Sequence, residues 1–244
     1  ASANELDAWR RNAALRRIWK HDAQVWTGAD EAQWLGWLGI TNGQLAHIQR
    51  LTRITEVARS AGLSDVLLLG MGGSSLCPEV LKMTFGKIDG FPELHVLDST
   101  DPAQVKAFEN KVDLNSTLFI VSSKSGGTSE TTSFFKYFWS CYPAKKAGRH
   151  FIAITDPGTS LEKLARDRGF RQVFNATPDV GGRYSALTAF GLVVQRRMNA
   201  LLHLFAWQGF FLAVSTAIVA SGSRRRRSAA ASKNASAASA FSHR

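Results

Sequence analysis

Asp65-Val66-Leu67-Leu68-Leu69-Gly70 is an unbroken apolar run that passes directly into Gly70-Met71-Gly72-Gly73-Ser74-Ser75. A short apolar run closed by a glycine turn reads as a strand buried on both faces. The pattern recurs downstream at Leu94-His95-Val96-Leu97-Asp98, Thr117-Leu118-Phe119-Ile120-Val121-Ser122 and His150-Phe151-Ile152-Ala153-Ile154-Thr155, with a short fifth run at Arg171-Gln172-Val173-Phe174. Helical stretches are predicted between them, near 75–85, 102–110, 128–140 and 160–168. Continuous apolar strands alternating with helices specify a parallel sheet covered on both faces. The expected fold is therefore α/β, a doubly wound parallel sheet over 61–194, preceded by a helical segment over 1–60. In such sheets the ligand sits beyond the carboxyl ends of the strands.

The turns that close the strands are therefore informative. The first strand ends in the glycine turn already quoted. The third ends in Ser123-Lys124-Ser125-Gly126-Gly127-Thr128-Ser129-Glu130-Thr131. Both turns are rich in glycine and hydroxyls, and both open a helix. Glycine lets the backbone approach an anion, the first helical N–H groups point at it, and Ser, Thr and Lys124 add donors and charge. Two such turns from neighbouring strands suit a phosphate monoester. The first turn alone could be an ordinary strand-to-helix connection, and the second could be ordinary capping. Glu130 is expected to be a first-turn carboxylate favoured by the helix dipole. A third cluster, Gly181-Gly182-Arg183-Tyr184-Ser185, sets a guanidinium beside exposed backbone, suited to a sugar oxyanion or enediolate. Arg183 could instead pair with a carboxylate at the sheet edge.

A dinucleotide-binding reading competes. Gly70-Met71-Gly72 begins the fingerprint, and Asp98 could hold a ribose hydroxyl. Against it, Ser75 replaces the third glycine, Asp98 lies further along than the usual spacing of about 20 residues, and the 123–131 turn is left unexplained.

The three clusters together resemble glucose-6-phosphate isomerase, in order and in spacing, over about 1–194. The Trp-rich N-terminal part, including Leu35-Gly36-Trp37-Leu38, looks most like the isomerase half of bifunctional transaldolase/glucose-6-phosphate isomerase proteins. The resemblance implies a sugar-isomerase (SIS) fold and interconversion of glucose 6-phosphate and fructose 6-phosphate through a cis-enediol, with no metal or organic cofactor. It implies that Ser123, Lys124, Ser125, Thr128 and Thr131 hold the phosphate, with Ser74 and Ser75 on the sugar-phosphate side of the first turn. Gly182 and Arg183 would stabilise the enediolate. A homodimer is implied for the intact family member. Gly126 and Gly127 depart from the commoner family pattern and are expected to loosen the second turn. The family's proton-transferring Glu and its ring-opening His and Lys lie downstream of the Gly-Gly-Arg cluster and have no counterpart here. The chain is thus expected to bind sugar phosphates weakly at best and not to turn them over alone. A non-catalytic SIS sugar-phosphate sensor is the alternative of another class, although residues 1–60 offer no clear basic recognition helix.

Within 1–60, Leu6, Trp9, Ala13, Leu15 and Ile18, and then Ile48, Leu51, Ile54 and Ala58, recur at helical spacing. Trp26, Trp34 and Trp37 lie between these runs, around a break at Thr27-Gly28-Ala29-Asp30, and are expected to be core or packing residues.

Composition narrows the alternatives. The chain has 244 residues, is 45% hydrophobic and carries a formal +11 charge, too apolar for a disordered chain. All 19 acids lie in 1–194 together with 22 Lys/Arg, a net +3, whereas 195–244 holds eight Lys/Arg and no acid. A folded body at +3 offers no basic surface for nucleic acid. Cys77 and Cys141 form no disulfide framework and are expected to be buried thiols on helices. The six histidines show no ligand spacing, and no signal-peptide run opens the sequence, so a cytoplasmic setting is expected. Residues 200–220 are apolar except for His203, Gln208, Gly209, Ser215 and Thr216, and Arg224 to Arg227 follow. Taken literally this is a membrane-spanning candidate with a basic flank, or an interaction tail. The abrupt shift to Ala/Arg/Ser-rich text favours a frameshifted or non-native tail, with membrane association not expected.

Overall fold

A computed structural model describes residues 3–193. The tail over 195–244, with its apolar stretch, lies outside them. Five strands form a single sheet: β1 (Asp65–Gly70), β2 (Glu93–Leu97), β3 (Thr117–Ser122), β4 (Phe151–Thr155) and β5 (Gln172–Asn175). All pairings are parallel and the order is β2-β1-β3-β4-β5. The expected doubly wound α/β fold is what the chain adopts. The chain moves outward from β1 to β2, then crosses back to place β3 on the other side of β1. That reversal opens a crevice at the carboxyl ends of β1 and β3, where doubly wound sheets of this order take their ligands. Dinucleotide-binding sheets run 3-2-1 instead, so the topology counts against the fingerprint reading of Gly70-Met71-Gly72.

Helices occupy both faces, and the strands read as continuous apolar runs because neither face meets water. In chain order they are α1 (Ala3–Arg11), α2 (Ala14–Trp19), α3 (Ile40–Ala46), α4 (Ile48–Ser60), α5 (Leu76–Phe85), α6 (Pro102–Lys111), α7 (Ser129–Ser140), α8 (Ala144–Ala147), α9 (Ser160–Asp167) and α10 (Ala189–Leu192). One face buries Leu68, Leu118, Ile120, Ile152 and Ile154 against Ala58 of α4 and Phe190 and Leu192 of α10. The opposite face buries Leu67, Leu69, Phe119, Val121 and Phe151 against Phe134, Phe135 and Phe138 of α7 and Leu161 and Ala165 of α9. Phe119 sits between Phe138 and Phe151, with ring centroids 5.0 and 4.9 Å away, and is fully buried.

The N-terminal part is less helical than its spacing predicts. Ala13 and His21 take left-handed backbone angles, and residues 23–39 fold as successive 3₁₀ turns before α3 and α4 begin. Trp9, on the apolar spacing of the first run, is exposed. Cys77 is half-buried on α5, but Cys141 follows the end of α7 and is exposed, so the expectation of two buried thiols fails there. Among the described residues no helix is long and apolar enough to cross a membrane.

Candidate functional site

The turns after β1 and β3 meet where the topology predicts, at the crevice between those two strands. The first is a 3₁₀ turn over Gly72–Ser74 leading into α5. Its backbone lies so close to the Gly-Gly-Arg cluster that a Cβ on Gly73 would stand 2.4 Å from the Gly182 carbonyl oxygen. Ser185 Oγ lies 2.7 Å from the Gly182 carbonyl and 3.3 Å from that of Gly73, tying the two segments together. Beneath them, the buried Ser122 hydroxyl donates to the Ser74 carbonyl at 3.1 Å. The clusters after β1 and β3 and at 181–185, more than a hundred residues apart at their extremes, are thus one structural unit.

The second turn is clamped to the segment after β4. The Ser123 N–H donates to Ile154, the Asp156 N–H to Lys124, and the Ser160 hydroxyl to Gly126 at 2.8 Å. Gly126 adopts φ +70°, and a Cβ there would lie 2.6 Å from Thr159 Cβ. Nothing lies within 4 Å of such an atom on Gly127. The expectation that both glycines loosen the turn is therefore wrong for Gly126, which permits close docking on α9.

Capping separates the two helices that start here. Thr159 caps α9 in the ordinary way, accepting from the Glu162 N–H. Thr128 stands at the equivalent place before α7, but its hydroxyl bonds to Ser123 Oγ at 2.9 Å instead. Among the described residues no side chain caps α7, which leaves its first N–H groups and the positive end of the helix dipole free at the carboxyl end of β3. This answers the capping alternative: the hydroxyls of 123–128 are not spent on the helix.

The sequence-derived residues divide by environment. Ser123 is buried, and Ser125 is exposed with its Oγ 3.4 Å from the Gly127 N–H. Thr131 lies on the same α7 stripe as Phe134, Phe135 and Phe138, so it is turned inward, 1% exposed, and its hydroxyl has no partner. Ser75 is buried with its hydroxyl on the Gly72 carbonyl at 3.2 Å, a bond that serves the turn. Ser74 is barely accessible at 9%. Glu130 is half-buried in the first turn of α7, where the dipole argument places it. Arg183 is exposed and has no ion-pair partner among the described residues, so the sheet-edge pairing is not seen.

Lys124 is held more tightly than the sequence suggests. Its ammonium pairs with Asp156 and also donates to the Pro178 carbonyl at 3.3 Å. Two of its three protons are occupied, leaving one for a ligand. The other carboxylate oxygen of Asp156 is buried without a partner. Asp156 was missed in the sequence, although Asp156-Pro157-Gly158-Thr159-Ser160 is a further glycine and hydroxyl turn at the same sheet edge.

An open cleft of about 660 Å³ lies beside these elements, and of the 123–131 turn its lining includes Lys124 alone. Gly73, Lys124 and Gly181 to Arg183 line one part, and Trp26, Trp34, Trp37 and Tyr184 form a wall with Glu31. Of the tryptophans expected to be core or packing residues, Trp26 and Trp34 are exposed, at 40% and 37%, whereas Trp37 is half-buried and packs on Tyr184. Leu35 and Val180 form an antiparallel bridge, and the Gly36 N–H donates to the Asp179 carbonyl at 3.0 Å, which fixes the 3₁₀ segment against the Gly-Gly-Arg cluster. Glu31 accepts from the Thr27 hydroxyl, from the Thr27 N–H at 2.9 Å and from the Ala29 N–H at 2.9 Å. These bonds, the Thr27 hydroxyl foremost, hold its carboxyl down at about 2. Burial raises the Cys77 thiol, and partial desolvation of its sulfur raises that of Cys141 although the residue is exposed, the wrong direction for nucleophiles. Among the described residues no group of three or more His, Cys, Asp or Glu side chains is placed to hold a metal ion.

The phosphoglucose isomerase family model matches residues 45–204, well over half of the chain. The glucose-6-phosphate isomerase of Acaryochloris marina is 34% identical over 145 residues, 56% of this chain and 26% of that protein. The chain spans about a quarter of the length of this curated relative. Among solved structures, a hypothetical protein from Thermus thermophilus superposes with a TM-score of 0.63 at 27% identity, over 78% of this chain and 44% of the other. A glucose-6-phosphate isomerase from Chlamydia trachomatis gives 0.54 at 30% identity, over 60% of this chain and 28% of the other. With the two strand-end turns and the Gly-Gly-Arg cluster gathered at one crevice and the family match running through all three, the chain belongs to the phosphoglucose isomerase family.

Proposed function

We propose that this chain is the sugar-phosphate-binding SIS portion of a glucose-6-phosphate isomerase, binding its ligand at the β1/β3 crevice. The observation that carries the reading is the uncapped start of α7. Its cap residue Thr128 bonds to Ser123 instead, which leaves main-chain donors and hydroxyls together beside Lys124. The phosphate would take the N–H groups at 129–131, the hydroxyls of Ser123, Ser125 and Thr128, and the remaining proton of Lys124. Ser74 and Ser75 would border the sugar side.

Aldose–ketose isomerisation shifts a proton between adjacent carbons through an enediol, with negative charge growing on an oxygen. Arg183, without a carboxylate partner among the described residues, and the main chain at Gly182 face the cleft where that charge would develop. A base is a separate requirement. Glu31 is the carboxylate in the cleft lining, and its oxygens are engaged by Thr27 and Ala29. The chain alone therefore binds without turning substrate over. Calorimetric titration with fructose 6-phosphate and with fructose, alongside a coupled isomerase assay, tests both parts. Binding of the phosphorylated sugar only, with no turnover, is expected. Equal affinity for fructose would remove the phosphate site, and turnover at ordinary rates would remove the claim of inactivity.

A further inference from the structure

The net +3 of residues 1–194 is not spread evenly. The connections that enter β4 and β5, residues 141–150 and 168–171, hold Lys145, Lys146, Arg149, Arg168 and Arg171 and no Asp or Glu. All five cations are exposed, and none has an ion-pair partner among the described residues. Packing brings the two connections together at the amino-terminal edge of the sheet, the end away from the crevice. A Cβ on Gly148 would stand 2.3 Å from the Gly169 carbonyl oxygen and 2.6 Å from that of Arg168. The Arg171 N–H donates to the Gly148 carbonyl at 3.0 Å and to that of Phe151 at 2.9 Å. Asp167, the acid adjoining them, is exposed and pairs with none of the five.

The arginines are held in place before any ligand arrives. Arg171 Nε donates to the Arg149 carbonyl at 2.7 Å, and Arg149 Nε lies 3.2 Å from Nε2 of the buried His150. A guanidinium can only donate, so His150 Nε2 accepts and the ring proton sits on Nδ1, 3.2 Å from the Thr117 carbonyl. The Arg168 guanidinium lies over the Trp139 ring, 5.0 Å from its centroid. Arg149 and Arg171 are thus fixed through Nε, which leaves their paired Nη groups as forks for an oxyanion. Such pinning removes part of the ordering cost of binding. One phosphate carries about −1.5 to −2 charges, too little to match five cations. No large hydrophobic side chain of the two connections is exposed, so no ring is offered to a nucleic-acid base and no group to a bilayer. We infer that Arg149, Arg168 and Arg171, bordered by Lys145 and Lys146, form a binding site for an oligophosphate, separate from the crevice.

The test is calorimetry on the full chain with inorganic tripolyphosphate, orthophosphate and ATP, with amide shift mapping of the native chain beside it. Tripolyphosphate should bind about tenfold or more tighter than orthophosphate and shift amides at 145–150 and 168–171. ATP should match tripolyphosphate, since only its phosphates find partners. The double variant Arg149→Gln, Arg171→Gln should lose about tenfold or more in tripolyphosphate affinity. Arg149→Lys with Arg171→Lys, which keeps the charge without the forks, should lose most of the same. Lys124→Ala, and a chain with Arg224 to Arg227 all changed to Gln, should keep the shifts at this edge, because neither touches it. Full affinity in the double Lys variant overturns the site and leaves only a diffuse basic surface. Shifts confined to the crevice, or lost with the Arg224 to Arg227 change, overturn it too. So does binding of ATP without tripolyphosphate, or a duplex oligonucleotide or anionic vesicle that binds through 145–171 where tripolyphosphate does not.

Discussion

Replacing Gly126 by Ala probes the clamp that shapes the phosphate turn. The native residue sits at φ +70°, and its added methyl would lie 2.6 Å from Thr159 Cβ and 2.8 Å from Thr159 Oγ1. The left-handed backbone costs a residue with a Cβ about 1–2 kcal/mol. The overlap must be relieved by a shift of roughly 1 Å, at about 1–3 kcal/mol for overpacking. Thr159 cannot simply turn away, because its hydroxyl caps α9 through the Glu162 N–H and bonds to Thr155 at 2.7 Å. The expected loss is therefore about 2–5 kcal/mol, or roughly 10 °C in a chain of this size. Gly127→Ala is the matched control, since it has no positive φ and open space around it, and should stay within about 0.5 kcal/mol. Urea unfolding followed by circular dichroism, with phosphate titration on the same samples, reads both effects. Equal midpoints for the two variants would refute the clamp and restore the picture of a loosened, glycine-rich turn.

Other outcomes rest on single contacts. Lys124→Ala should weaken inorganic phosphate binding by about tenfold or more, the worth of one hydrogen bond to a charged group, as measured by calorimetry. His150 is 6% exposed, and burial holds its imidazole below the ordinary 6.5, favouring the neutral ring in the folded chain. Its contribution is complete above about pH 6.5 and is lost as the pH falls below that, because the unfolded chain takes up a proton first. His150→Asn should flatten this part of the stability–pH curve obtained by denaturant titration. Phe119→Ala, which removes a ring stacked between Phe138 and Phe151, should cost about 3–5 kcal/mol in the same assay.

Much of the fold was legible because the central strands are buried on both faces. Leu67 to Leu69 and Phe151 to Ile154 are continuous apolar runs for that reason, and each declares itself without knowledge of its neighbours. The turns after β1 and β3 were legible because glycine and hydroxyls at a helix start have a local meaning. What stayed hidden depends on distant partners. Nothing near Trp34 in sequence shows that Leu35 will bridge Val180 and bring the tryptophans to the crevice, so they read as core or packing residues. Gly126 read as slack because Thr159, the residue it accommodates, lies on another strand's connection. Asp156 could have been noticed from its own glycine and hydroxyl turn, but its hold on Lys124 is purely tertiary. The inward direction of Thr131 was readable from its spacing to Phe134, Phe135 and Phe138 on α7.

Amide chemical-shift mapping by NMR during addition of fructose 6-phosphate tests the central claim most directly. The account predicts saturable shifts concentrated at Gly72–Ser75, 125–131 and 182–183, absent with fructose. Shifts confined to residues away from the carboxyl ends of β1 and β3, or none at millimolar ligand, would contradict it.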